Sequence, residues 1–341
     1  MTALAAGYDV RASGVTLDRF CGSGLTAVGF GAATIMAGME DVVIAGGCEM
    51  MSFNQSDPRA RRTALFDADN LDLRQRHPQV AQGLCADAIA TLEGIPRTAL
   101  EALAVESQRR CAQARQGGYF DGALIPVHDR GGALLLAEDE HPRPATTLES
   151  LAQLKPAFEQ AAAATIDDDG TTQLDLIRTA FPGLKIEHVH HAGTSSGVVD
   201  GAAGVLLASA QALDTHGWTP RARILAMANV GDSPELMLNA PVPATRKVLE
   251  KAGLTLADID LFEVNEAFAV VAEKYIRDLG LDRSIVNVNG GAIAMGHPIG
   301  ATGAILVGTL LDELERRDLK RGLVTMCAAG GMAPAVIIER V

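Results

Sequence analysis

Apolar and polar positions divide the chain into three textures. From residue 14 short apolar runs alternate with small-residue stretches. G-V-T-L-D-R-F (14–20) predicts a strand, the run from Cys21 to Gly38 a helix, and D-V-V-I-A-G-G (41–47) a buried strand of the parallel type. Strand, turn, helix and strand form one βαβ unit. From residue 52 the texture changes. Residues 52–80 are polar, rich in Arg and Asp and without a period, which predicts a loop. Residues 83–92 and 96–117 follow with amphipathic helical spacing, the second ended by Gly117-Gly118. Residues 123–138 predict short strands, 146–158 a short helix closed by Pro156, and 159–185 a surface excursion.

The α/β texture returns at residue 188. H-V-H-H-A-G-T-S-S-G-V-V-D-G-A-A-G-V-L-L-A-S predicts a turn and a small-residue helix, 221–231 a strand, and 244–253 a helix ended by Gly253. An apolar stretch leads through a strand into a helix at Asn265. I-V-N-V-N, a glycine-rich turn with His297, a long helix to Arg317 and a last strand pair around Cys327 complete the pattern. Both ends repeat strand, Gly-rich turn with a reactive residue, and small-residue helix, which suggests duplication and not a solenoid. Three units follow: 1–50 with 188–210 as a first half, 51–187 as an inserted lid, and 211–341 as a second half.

Composition narrows the class. The 341 residues carry a net charge of −13, 48% hydrophobic residues, 35 glycines and only 4% aromatics. Such a balance argues against general binding to nucleic acid or anionic membranes. An anionic small molecule needs only a local cationic patch. The five cysteines (21, 48, 85, 111 and 327) are odd in number and lack C-x-x-C spacing, so neither a disulfide framework nor a zinc site is indicated. No apolar run reaches a membrane span and no signal peptide follows Met1, so a soluble cytoplasmic protein is expected.

Three side chains carry candidate chemistry. Cys21 stands in C-G-S-G-L where a helix begins, and a helix N-terminus favours a thiolate. Taken alone it is equally readable as a small buried hydrophobe. His297, in G-H-P-I-G-A-T-G-A, is a candidate base or oxyanion donor, with a structural histidine as the alternative. Cys327, in M-C-A-A-G-G-M, offers a second thiol beside backbone N–H groups able to form an oxyanion hole. Asn265-Glu266 open a helix in an apolar segment, where a simple N-cap is the alternative. His188, His190 and His191 have no carboxylate or cysteine at ligand spacing in the sequence, so no metal site is assigned. Two cysteines and a histidine in such turns point to acyl transfer.

Together these motifs resemble the thiolase family, the acetyl-CoA acetyltransferases and 3-oxoacyl-CoA thiolases, in the family's order and over nearly the whole chain. The resemblance implies a thiolase-like α/β fold, with two related βαβ halves, helices on both sheet faces and an inserted lid (loop) domain. V-T-L-D-R-F-C-G-S-G-L-T-A-V looks like the nucleophile segment, so Cys21 would carry the acyl group. V-N-E-A-F-A matches the N-E-A-F motif, and Asn265 would hold the water of the first oxyanion hole. N-G-G-A-I-A-M-G-H-P-I-G-A-T-G-A is close to the family consensus. His297 would activate Cys21 and donate to the thioester oxygen. C-A-A-G-G-M resembles C-x-G-G-G, making Cys327 the acid/base of the Claisen step, with the N–H groups of Cys21 and Ala329 as second oxyanion hole.

For coenzyme A, the resemblance puts Arg143 and Ser150 at the nucleotide end and Phe158 and Ser196 by the pantetheine. Coenzyme A would enter as substrate, with no metal or redox cofactor, and the protein would be a homodimer or homotetramer. Rival readings are a ketoacyl-synthase-type condensing enzyme, which would want two histidines or a His/Asn pair in place of Cys327, and a catalytically impaired homologue. Ala329 stands where the family usually has Gly, and Ala81-Gln82-Gly83 replaces the His-Met pair of acetoacetyl-specific members, which leaves the acyl pocket unassigned. The family fold also sets a β-α-β-α segment before the nucleophile strand, on the order of 60 residues at roughly 30 per βαβ unit. Met1 to Gly7 reads as the tail of its last helix. The expectation is a chain that begins late, through a misplaced start, a truncated gene or an expressed fragment.

Overall fold

In the computed structural model, residues 2–56, 66–67 and 69–341 are described. Two sheets and the helices between and around them position the site. The smaller sheet pairs β1 (Val42–Met50) with β2 (Asp200–Ala208), antiparallel, in the register Val42↔Ala208 to Met50↔Asp200. The larger has four strands: β3 (Ala222–Gly231), β4 (Leu261–Val264), β5 (Arg321–Thr325) and β6 (Met332–Arg340), in the order β3-β6-β5-β4. Its β4 and β5 run parallel, and its β5–β6 and β6–β3 pairs are antiparallel.

Two helices lie between the sheets. They are α1 (Ser23–Met36) and α6 (Thr302–Arg316). Leu25, Leu306, Val307, Leu310 and Leu314 from these helices pack on Leu261, Val324, Met326, Val336 and Ile338 of the larger sheet. On their other side Val28 and Ala304 meet Ala45, with Val43, Ala203, Val205 and Leu207 packed around them. The opposite face of the larger sheet is covered by α2 (Gln82–Leu92), α3 (Arg97–Gln116), α4 (Pro241–Ala252) and α5 (Ala269–Leu279), which join it in the largest core cluster. The interhelical fit of α1 on α6 depends on glycine. A Cβ on Gly303 would lie 2.0 Å from the backbone nitrogen of Leu25.

Several expectations are corrected. Residues 14–20 do not form a strand, because the structure gives this segment no neighbouring ladder; it runs mostly exposed into a turn at Cys21. The 41–47 run is a strand, but its partner β2 is antiparallel and it is only partly buried, with Ile44 57% exposed. Residues 200–208, expected as helix, form β2. Their burial alternates with period two, with Ala203, Val205 and Leu207 turned toward α1 and α6, which suits a half-buried strand. I-V-N-V-N forms no strand either. Val286 and Val288 make isolated bridges, to Phe262 and Gly290.

In the 52–80 stretch, residues 57–65 and 68 lie outside the described residues. The remainder includes the helices Met51–Ser56 and Leu71–Arg76, the latter capped by Asn70, whose Oδ1 accepts from the Leu73 N–H. The stretch expected as an insertion, 51–187, also contains a small hairpin, Val127–His128 with Leu134–Leu136, the helix Leu148–Ala152 ending before Pro156, and the helix Gln173–Ala180 in the expected excursion.

Candidate active site

Cys21 sits at the N-terminal end of α1, between the two sheets, and is 3% exposed. The turn that presents it is held locally. The Phe20 N–H donates to Asp18 Oδ1 at 2.7 Å and the Arg19 N–H to Ser23 Oγ at 2.8 Å. Phe20 takes a left-handed φ of 49°, a conformation unusual for a bulky residue and of the kind found where a reactive side chain is aimed. Burial pushes the Cys21 thiol up to about 11. The Gln82 amide and the N–H groups of Cys21 and Ala329 oppose that shift, and the Glu49 carboxylate adds to it.

Asn265 and Cys327 leave the C-terminal ends of the adjacent parallel strands β4 and β5, where ligand sites of open α/β sheets collect. The Asn265 N–H donates to Thr325 O at 3.2 Å, which ties the two strand ends together. Gly330 and Gly331 follow Cys327 with φ of 79° and 75°, and a Cβ on Gly331 would lie 2.5 Å from Asp232 O. This sharp reversal returns the chain to β6 while a Cβ on Gly22, next to Cys21, would be 3.4 Å from Ala328 Cβ. Cys327 is 1% exposed, and burial and the neighbouring Cys21 push its thiol well up.

His297 lies just before α6. Its N–H donates to Gly197 O at 2.9 Å, joining its turn to that of Ser196. Nδ1 lies 2.6 Å from Thr302 Oγ1, and that hydroxyl donates to Pro298 O at 2.9 Å. A hydroxyl has one proton to give, so Thr302 accepts from Nδ1–H. Nε2 then carries the lone pair, and Asn265 Nδ2 donates to it at 3.3 Å. Burial depresses His297 to about 4, so the ring is neutral at physiological pH. Asn265 is not an N-cap: α5 begins at Ala269 and the Asn265 side chain points to His297, with its buried Oδ1 left without a hydrogen-bond partner. Such an acceptor suits a water or ligand donor. Glu266 braces the same turn from behind, accepting from Ser107 Oγ at 2.6 Å and Asn287 Nδ2 at 3.0 Å.

The structure therefore brings Cys21, Cys327, His297, Asn265 and the N–H of Ala329 to one buried place. The expected coenzyme A contacts divide. Phe158 packs edge-on to Phe268 with centroids 5.7 Å apart, and Ser196 sits half-buried beside the His297 turn, its N–H donating to Ala267 O. Arg143 is exposed, and no ion partner faces it among the described residues. Ser150 is engaged locally, in a capping box with Thr147. The three histidines meet carboxylates from elsewhere in the chain. His188 and His190 each place Nδ1 2.8 Å from buried Asp87 on α2, and His191 places Nε2 3.2 Å from Glu101 on α3. Among the described residues no group of three or more such side chains is arranged to hold a metal. Thr302 was missed by sequence reasoning, though it stands five residues after His297 in the quoted motif. Its signal was positional only.

Two family models match the chain: "Thiolase, N-terminal domain" over residues 1–171 and "Thiolase, C-terminal domain" over 218–340. The chain belongs to the thiolase family and has the thiolase fold. It is 40% identical over 359 residues to the 3-oxoadipyl-CoA/3-oxo-5,6-dehydrosuberyl-CoA thiolase of Escherichia coli (strain K12), covering 100% of this chain and 83% of that protein. It is 38% identical over 353 residues to the acetyl-CoA acetyltransferase of Cupriavidus necator, covering 99% and 82%. Human mitochondrial 3-ketoacyl-CoA thiolase in complex with CoA is similar in structure, with a TM-score of 0.82, 35% identity and coverage of 99% of this chain and 80% of that one. Among the described residues no helix is long and apolar enough to cross a membrane.

Proposed function

We propose that the protein cleaves a 3-oxoacyl-CoA with free coenzyme A and runs the reverse Claisen condensation at the same site. The observation that carries this reading is the burial of two thiols side by side, Cys21 and Cys327, with the neutral His297–Asn265 pair in the same site. Cys21 loses its proton to His297 Nε2 and attacks the 3-keto carbon. The bond between carbons 2 and 3 breaks, its electron pair passes to the enolate of acetyl-CoA, and Cys327 supplies the proton at carbon 2. Cys327 then takes the proton of an incoming coenzyme A thiol, which attacks the acyl-Cys21 thioester; the shortened acyl-CoA leaves, and the expelled Cys21 thiolate takes its proton back from His297. The N–H groups of Cys21 and Ala329 stabilise the oxyanion on the nucleophile side, and His297 with an Asn265-bound water stabilises the thioester oxygen. Phe158, Ser196, Arg143 and Ser150 are assigned to coenzyme A, the last two at its phosphate-bearing end. No metal or redox cofactor takes part in this scheme.

Cys327 distinguishes this reading from a decarboxylating condensing enzyme, which needs no second thiol. The assembly proposed with it is a homodimer or homotetramer, supported by the apolar outer face of the smaller sheet, where Val42, Ile44 and Leu206 are exposed. The test is thiolysis of acetoacetyl-CoA and 3-oxoadipyl-CoA, followed by loss of the substrate enolate absorbance. Cys21→Ala should abolish turnover and any acyl-enzyme, and Cys327→Ala should strongly slow turnover, because both the cleavage and the thiolysis step lose their proton carrier. A folded chain inactive on both and on longer 3-oxoacyl-CoAs would overturn the reading in favour of a catalytically impaired homologue.

A further inference from the structure

We propose that Gln82 is a catalytic hydrogen-bond donor whose side-chain amide stabilises the Cys21 thiolate. The proposal rests on the assignment of Cys21 as nucleophile. Gln82 is the first residue of α2, and its Nε2 lies 4.0 Å from Cys21 Sγ. A thiolate has no proton to give, so only the NH2 end of the amide can face it.

The position of that amide is over-determined. Immediately before it, the Ala81 N–H donates to Gln173 Oε1 at 2.7 Å, and Gln173 is 7% exposed. Immediately after it, Gly83 lies under the Phe158 ring, where a Cβ would come within 2.2 Å of a ring carbon. The first turn of α2 therefore cannot slide along Cys21, and the side chain is delivered to the sulphur by fixed backbone.

The need for a neutral donor follows from the rest of the site. His297 is buried with its proton on Nδ1, directed at Thr302, and among the described residues the groups that bear most on the Cys21 sulphur include no cationic side chain. Glu49 is the charged neighbour, and its sign is unfavourable. Before His297 takes its proton the sulphur is not half of an ion pair, and afterwards the imidazolium and the surrounding N–H groups share its charge. The N–H groups that meet its negative charge are those of Cys21 and Ala329 from the backbone and that of the Gln82 side chain. An apolar side chain at residue 82 would leave the sulphur equally buried and one donor short.

The test measures the pH dependence of iodoacetamide alkylation on the Cys21 peptide by mass spectrometry, in the wild type, Gln82→Met and Gln82→Glu. Gln82→Met keeps the length and removes the donor. Its midpoint should rise by about one pH unit, with a roughly tenfold slower reaction at neutral pH. Gln82→Glu keeps the shape and adds a negative charge, so its midpoint should rise further, and it serves if the Met variant folds poorly. Melting temperature should hardly change, which separates the effect from a packing role. Superimposable profiles in both variants would overturn the proposal. A separate arm traps the acyl group from acetoacetyl-CoA in the wild type. Acyl on Cys21 with unshifted profiles refutes Gln82 alone, whereas acyl on another cysteine overturns the nucleophile assignment and this proposal with it.

Discussion

The Thr302 hydroxyl sets the tautomer of His297, the proposed base, and Thr302→Val should expose this. The substitution keeps the β-branched shape and removes the acceptor 2.6 Å from His297 Nδ1. In the resting enzyme the buried N–H is left unpaired, at a cost of about 1–3 kcal/mol. Moving the proton to Nε2 gives no relief, because that nitrogen would then oppose the Asn265 N–H at 3.3 Å. When His297 takes the Cys21 proton, the lost bond is one to a charged ring and is larger, about 1.5–3 kcal/mol. Because the resting enzyme is itself destabilised, only the excess of the second loss over the first raises the barrier, so kcat/KM should drop by about two- to tenfold. Thr302→Ser keeps the hydroxyl and should stay near wild type. Thiolysis of acetoacetyl-CoA across neutral pH, with a parallel melting curve, reads both effects. A folded Thr302→Val enzyme with wild-type kcat/KM would refute the tautomer argument.

Other consequences follow from burial. His297 lies at about 4 in the fold, against about 6.5 in the unfolded chain. The unfolded chain therefore binds the extra proton. The histidine's contribution is complete above about pH 6.5 and is lost as pH falls toward about 4, on the order of 3 kcal/mol in all. Because buried Glu263 and Glu266 are raised and act in the opposite sense, the measurable quantity is the stability gap between wild type and His297→Gln. It should shift against wild type on acidification, and a pH-independent gap would contradict this. Gly303→Ala should cost about 3 kcal/mol or more in denaturant unfolding, because its Cβ would strike the Leu25 backbone. Survivors should lose activity, since α1 carries Cys21. Asp87→Ala leaves the Nδ1–H groups of His188 and His190 and the N–H groups of Val189 and His190 unpaired. It should lower stability by more than about 3 kcal/mol, with Asp87→Asn in between, and equal melting of all three proteins would sink that reading.

The candidates Cys21, Cys327 and His297 were legible in the sequence because each stands in a glycine-rich turn after an apolar run, which is a local signature, whereas Asn265 stood out only as a polar residue in an apolar segment. Cys21, Cys327, His297 and Asn265 are all brought to one place. Long helices were equally legible, since 96–117 and 302–316 have a sustained period and clear ends. Where the sequence misled, the deciding partner was distant. Residues 200–208 are small enough to read as helix, and only pairing with Val42–Met50 makes them a strand. Residues 14–20 have strand character, but hydrogen bonding to a neighbour, not propensity, makes a strand. Tertiary structure alone set the tautomer of His297, through Thr302 and Asn265. It alone joined Asp87 to the histidines across 101 and 103 residues of sequence, and Gln82 to Cys21 across 61. Local spacing fixes which side chains can react, whereas their protonation states depend on burial and on partners that only folding brings within hydrogen-bond reach.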